Sequence, residues 1–244
     1  NYILNLKNKA MAKIMVIAES GFGKSTAICP SEELGIKGLD PNTTFVVNVS
    51  SKDLPARGWK KLYKHIQGKD LSSGNYVETN NGLDIAGLIS ILNEKKPEVN
   101  TLIIDDFQYI MADYYMDKAK TAGFDKFQDI GYFTGQIFKA IQKFKGHVIV
   151  LTHPEEVQGN FGTTYKAKTA GKMIDQYITM EGKFDIVLYG AQDYDSKSKK
   201  AIKQFVTNYD GRYPAKSAPG MLPALMVNDL GLVVELVNKY YEGE

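Results

Sequence analysis

Ala18-Glu19-Ser20-Gly21-Phe22-Gly23-Lys24-Ser25-Thr26 follows the apolar run Ile14-Met15-Val16-Ile17, and this junction decides the fold. A buried strand that breaks into glycines turns its backbone N–H groups toward one point, where they cradle phosphate oxygens. A helix that follows adds its positive N-terminal end. The spacing is that of a Walker A loop, with Ala18 standing where the pattern usually opens on glycine. Ser20, Gly21, Phe22, Gly23, Lys24, Ser25 and Thr26 form the predicted nucleotide cradle, with Lys24 placed to bridge the outer phosphates and Ser25 to hold magnesium. The implied ligands are ATP and Mg2+.

Working outward, the helix after the loop is expected to be short, because Pro30 and Pro41 bracket a glycine-containing segment. Thr44 to Val49 is β-branched and nearly all apolar, as a parallel strand covered on both faces is. Ser51 to Tyr63 reads as a turn-rich connection anchored by Trp59, the only tryptophan. Leu83 to Leu92 has helical apolar spacing and ends before Pro97. Thr101-Leu102-Ile103-Ile104-Asp105-Asp106 is an apolar strand ending in two acids, the form of a Walker B motif. At the carboxyl end of a strand beside the phosphate loop, Asp105 is predicted to serve the metal and Asp106 to polarise the attacking water.

Phe107 to Phe127 interleaves aromatics, methionines and lysines, which suits either helical core or a stacking platform for single-stranded nucleic acid. Phe133, Ile137, Phe138, Ile141 and Phe144 mark one apolar helical face. His147 to His153 is a strand ending in polar side chains, and Thr152 and His153 are placed to sense the γ-phosphate or pass its state to the next segment. That segment, Gln158 to Gly171, has little apolar content and reads as a mobile basic loop, in which Lys166, Lys168 and nearby Lys172 are candidate DNA contacts. Phe184–Tyr189 and Ala201–Thr207 form a strand pair, and Leu225 to Tyr241 a closing helix.

Composition narrows the classes. A net charge of +2 does not announce nucleic-acid binding, so any DNA contact has to be local. No apolar run approaches the roughly 20 residues that span a bilayer, and a lone cysteine, Cys29, fits a reducing, cytoplasmic setting without disulfides or thiolate metal sites. The three histidines lack metal-ligand spacing. Residues 1–11 read as a leader or expression remnant, and the rest of the 244 residues as one domain. The predicted fold is α/β: a P-loop, RecA-like, doubly wound and mostly parallel sheet with a C-terminal antiparallel strand pair.

Arginine is scarce, with only Arg57 and Arg212 among 30 basic residues. Small-molecule kinases and hexameric ring ATPases supply several arginines to the transferred phosphate. RecA-like ATPases insert lysines from a neighbouring subunit instead, and Lys216, in a turn after a late strand, is placed for that role.

The chain resembles the phage-encoded RecA-like ATPases associated with single-strand annealing and recombination. The resemblance rests on Gly23-Lys24-Ser25-Thr26, Gly38-Leu39-Asp40-Pro41, Asn48-Val49 with Lys52 and Leu54-Pro55, Ile104 to Tyr109, Gly171-Lys172-Met173, Glu181-Gly182 and Ala215-Lys216-Ser217. It implies an ATP hydrolase that forms a ring or filament, binds single-stranded DNA and works with phage recombination or replication proteins in the bacterial host cytoplasm. RecA-type proteins often carry a water-activating Glu just after the second strand. Here Asn48, Ser50 and Ser51 occupy that neighbourhood, so Asp53 or Asp106 has to substitute. The competing readings are a helicase-loader or remodelling ATPase driven by a protein partner, and a nucleotide-gated binding module without turnover.

Overall fold

Every residue of Lys13–Ile17 is buried, and this run forms β1, an interior strand of the main sheet. The computed structural model describes residues 11–120, 122–159, 162–196 and 199–243, and the expected leader, apart from Met11, lies outside them. Thr44–Asn48 is β2, Tyr76–Glu78 β3, Thr101–Asp105 β4 and His147–Thr152 β5. Pro154–Gly159 and Gly162–Ala167 are β6 and β7, Ile186–Asp195 is β8, Lys200–Val206 β9 and Leu225–Val227 β10. Eight of these form one sheet in the order β10-β9-β8-β1-β5-β4-β2-β3. From β8 to β3 all pairings are parallel, and β9 and β10 add an antiparallel edge. This is the doubly wound, mostly parallel sheet with a C-terminal antiparallel pair that the sequence predicts.

The helices are α1 Trp59–Leu62, α2 Gly82–Lys95, α3 Gln108–Asp117, α4 Asp125–Lys143, α5 Lys172–Asp175 and α6 Leu230–Glu242. Because side chains alternate along a strand, β1 sends Met15 and Ile17 into one core and Ile14 and Val16 into the other. On the first face lie Ile85 and Ile89 of α2, Ile110 of α3 and the predicted stripe Phe133, Ile137, Phe138, Ile141 and Phe144. Burying each such side chain contributes about 1.5–3 kcal/mol, which is what holds α4 to the sheet. On the second face, Trp59, Tyr63 and Tyr76 pack with Val233 and Val237 of α6.

The structure corrects several expectations. The helix after the phosphate loop is only a 3-10 turn, Thr26–Ile28, because Cys29 is already extended ahead of Pro30. Trp59 opens α1 and is buried against Tyr76, with ring centroids 4.9 Å apart. The predicted mobile loop is largely a hairpin in which β6 and β7 pair from Pro154↔Ala167 to Gly159↔Gly162. Leu225–Val227 forms an edge strand, and the closing helix starts only after Asp229, which caps it by accepting from the N–H groups of Gly231 and Leu232. Of the aromatic stretch, Phe107, Ile110 and Met111 are core, whereas Met116 and Phe124 are exposed.

Gly231 is required by close approach. A Cβ there would stand 1.8 Å from the carbonyl oxygen of Gly38, whereas one at Gly87, exposed within α2, would meet nothing within 4 Å. Gly231→Ala is therefore expected to destabilise the fold by about 3 kcal/mol or more, and Gly87→Ala to stabilise it by about 0.5–1 kcal/mol. Urea unfolding of both variants checks the pair; equal effects would contradict the packing.

Candidate functional site

β1 hands over directly to the phosphate loop. Ala18 still bonds through its N–H to the carbonyl of Thr152, at 3.1 Å, and the chain then turns through Gly21 (φ 78°) and Gly23 (φ 98°). Both angles lie where only glycine is unstrained. The N–H groups of Gly21, Gly23, Lys24 and Ser25 donate to no other protein group among the described residues. A run of unpaired backbone donors in a glycine-turned loop fits an anion. Phe22 enters differently from the expectation: its ring is buried beneath the loop against Phe205, and its N–H is turned back to the carbonyl of Glu19. It anchors the cradle instead of lining it.

Lys24 is buried, and its Nζ donates to the carbonyls of Ala18 (2.7 Å) and Glu19 (3.2 Å). Burial lowers its pKa, opposed by the charges of Asp106 and Asp105. Both carboxylates thus bear on the same ammonium, so loop and acid pair share one sheet edge.

Asp105 ends β4 and is 3% exposed, with its Oδ1 buried and without a hydrogen-bond partner. Ser25 lines the same cleft, and its hydroxyl works to lower the pKa of this carboxylate. Burial first, and the Asp106 charge second, push its pKa up to about 6, against the Ser25 hydroxyl and Lys24. A dry carboxylate with an unfilled lone pair beside a serine hydroxyl fits a hard divalent cation. Among the described residues there is no group of three His, Cys, Asp or Glu side chains able to enclose a metal. Ser25 and Asp105 offer oxygen ligands, which suit Mg2+, a cation that takes few protein ligands and keeps water and phosphate for the rest.

Asp106 follows with φ 64°, a strained backbone for a residue other than glycine. Its Oδ1 lies 3.5 Å from Nε2 of His153 and 3.4 Å from Nε2 of Gln108, and its Oδ2 3.8 Å from Nζ of Lys52. Burial would raise its pKa, but hydrogen bonds from His153, Ser50 and Gln108 outweigh this and hold it at about 2. Asp106 is thus firmly anionic near neutrality. Such a weak base suits aligning a water more than abstracting its proton. Thr152, fully buried, donates to Oε1 of Gln108 at 3.1 Å, so Thr152, Gln108, Asp106 and His153 form one connected chain.

Lys24, Ser25, Asp105, Asp106 and His153 line a cleft of about 350 Å3, with Thr152 and Gln108 behind it. A larger groove of about 760 Å3 lies beside α4, but neither a carboxylate nor a serine lines it, so size does not locate the chemistry. Gln108, Ser50, Lys52 and Lys203 belong to the site without having been singled out for it by sequence reasoning. Gln108 and Lys52 lay within quoted motifs, Ser50 was read as part of a gap, and Lys203 arrives from β9 without any local signal. Asn48 stands where a catalytic glutamate was expected and shapes the following turn, donating to the Lys52 carbonyl and the Tyr76 hydroxyl while accepting from Ser50 N–H.

Other predicted residues lie elsewhere. Lys216 is exposed, bridged by backbone bonds to Val187, and does not line this cleft. Lys166 is held by Asp175 and by Glu155 at 3.4 Å, which occupies the charge expected to meet DNA. Lys168 is exposed, and its N–H bonds to the carbonyl of His153 at 2.9 Å. The side chain of Lys172 lies outside the described residues.

No protein-family model matches the chain. No curated protein matches it either. Among solved structures, it is similar to a KaiC-like protein from the archaeon Pyrococcus horikoshii, at 12% identity and a TM-score of 0.43, over 81% of this chain and 78% of that one. The description of the fold rests on the strand order and registers given above. No helix among the described residues is long and apolar enough to cross a membrane.

Proposed function

We propose that the cleft binds Mg·ATP and hydrolyses it. The observation that carries this reading is the meeting, in one cleft, of unpaired loop N–H groups, buried Lys24, Ser25 and Asp105. Gly21, Gly23, Lys24 and Ser25 would hold the phosphates through backbone donors, with the Lys24 ammonium at the outer two. When bound between Ser25 and Asp105, Mg2+ would neutralise charge on the transferred phosphoryl group. Asp106 and Gln108 would align the attacking water, with His153 and Lys52 keeping Asp106 charged and in place.

Asp106→Asn is expected to lower kcat for phosphate release about 10- to 100-fold with KM for ATP changed by less than about threefold, since the lost contact is made to the water and not to the nucleotide. An unchanged kcat would remove Asp106 from the chemistry. The low basicity of Asp106 also supports a second reading, a nucleotide-gated module. Single-turnover assays with tight ATP binding and no phosphate release would select it.

The finer part of the proposal is a DNA-dependent ATPase acting in recombination, annealing or replication as a ring or filament, with Lys216 entering the site of a neighbouring copy. The β6–β7 hairpin springs from His153, and exposed Lys168 closes it, so a state change at Asp106 has a short path to a basic surface. Turnover measured with and without single-stranded DNA tests this. Stimulation supports it, and stimulation by a helicase or other protein alone would favour the loader-like alternative.

A further inference from the structure

The phosphate loop lacks the helix that would ordinarily hold it, since only the Thr26–Ile28 turn follows. Two glycines with positive φ give such a loop little shape of its own. That turn holds the Gly23 carbonyl only through the Ala27 N–H, which is shared between the carbonyls of Gly23 and Lys24, each at 3.2 Å. Two side chains from far along the chain add to this hold.

Asn228, at the junction between β10 and α6, donates from Nδ2 to the carbonyl of Gly23 at 2.9 Å. In a trans peptide the carbonyl and the following N–H point in opposite directions. A donor gripping the Gly23 carbonyl from outside therefore turns the Lys24 N–H away from it. The Oδ1 of Asn228 is buried with no hydrogen-bond partner, a cost borne at a residue whose bonded target is the loop. Asn228 is itself held by its neighbour: Asp229 accepts from the N–H groups of Lys37 (2.6 Å), Gly38 (3.1 Å), Gly231 (2.9 Å) and Leu232 (3.2 Å). Lys203 of β9 donates from Nζ to the carbonyl of Gly21 at 2.6 Å, lines the cleft, and makes no ion pair with a carboxylate among the described residues.

Resting on the nucleotide reading above, we propose that Asn228 and Lys203 are positioning residues that hold the phosphate loop in its ligand-ready shape, adding to the weak hold of the short turn that follows it. They act through the Gly23 and Gly21 carbonyls, so their loss should weaken nucleotide binding while sparing the chemical step.

The test is fluorescence titration of the full chain with Mg·ATP carrying an N-methylanthraniloyl label, alongside steady-state phosphate release and the thermal midpoint of the free protein. Asn228→Ala, Asn228→Asp and Lys203→Ala are expected each to raise Kd and KM about tenfold, with kcat within about threefold. Lys203→Arg, which keeps a donor, should stay within about threefold of wild type. If Asn228→Ala does not fold, Asn228→Asp and Lys203→Ala still decide the matter. Kd values within about twofold of wild type for the folded variants would overturn the inference, as would a fall in kcat equal to the rise in Kd. Should wild type bind the label and Lys24→Ala lose it while Asn228 and Lys203 variants bind normally, this inference alone fails. If wild type binds no labelled nucleotide, the nucleotide reading fails and this one falls with it.

Discussion

Lys24→Ala is expected to cut ATP turnover by at least about a hundredfold while leaving the chain folded, because removing one preorganised donor from a developing oxyanion costs about 10²–10³ in rate. The side chain is placed for this. Its ammonium is buried, fixed by the Ala18 and Glu19 carbonyls, and balanced by the Asp105 and Asp106 charges. Burial without a close ion pair opposes the charged form, so its removal should not lower the stability of the free protein much. Lys24→Arg should be nearly as inactive, since a planar fork cannot occupy a pocket shaped around a compact ammonium. Phosphate release and thermal melting check both variants. Turnover within tenfold of wild type would remove Lys24 from the site.

Asp105→Asn is expected to abolish Mg2+-dependent turnover, again by about a hundredfold or more, and at the same time to make the free protein more stable. The two effects share one cause. Asp105 is a dry carboxylate with an unpartnered oxygen, and burial together with the Asp106 charge raises its pKa from 3.8 to about 6. Between those values the folded state keeps a proton that the unfolded chain has lost. Stability of the free protein therefore falls as pH rises through that window, and near neutrality the charged group costs about 2–3 kcal/mol. Asparagine removes the charge and flattens the slope. Urea unfolding from pH 4 to 7, with and without the substitution, reads it directly; an unchanged slope would show that Asp105 ionises freely in the fold.

How much of this was legible in the sequence depends on whether the information was local. The phosphate loop and the acid-ended strand β4 are short, strongly patterned segments, and Ser25 and Asp105 line one cleft. The hydrophobic stripe of α4 was equally plain, because its period matches a helix over about three turns. The helix after Ser25, expected to be short, is cut to the Thr26–Ile28 turn: Cys29 is already extended ahead of Pro30, and nearby Gly38 lies against Gly231 from the far end of the chain. Asn228 and Lys203 were invisible because their bonds to Gly23 and Gly21 join opposite ends of the chain.

Two other departures had signals that the patterning outweighed. Thr163-Thr164-Tyr165 is a β-forming run, yet the glycines and lysines around it read as a loop until pairing with β6 ordered it. Asp229 is a good helix cap three residues after Leu225-Met226, and it ends the edge strand where the sequence reading carried a helix straight through. The low pKa of Asp106 had no sequence signal at all, because His153, Ser50 and Gln108 surround it only in the folded sheet.

Isothermal titration of the purified chain with ATP, in excess Mg2+ and again in excess EDTA, tests the central assignment most directly. One site per chain is predicted, with affinity falling at least about tenfold when the metal is withdrawn and that dependence vanishing in Asp105→Asn. Binding of equal strength with and without Mg2+, or none in wild type, would contradict a shared metal site between Ser25 and Asp105.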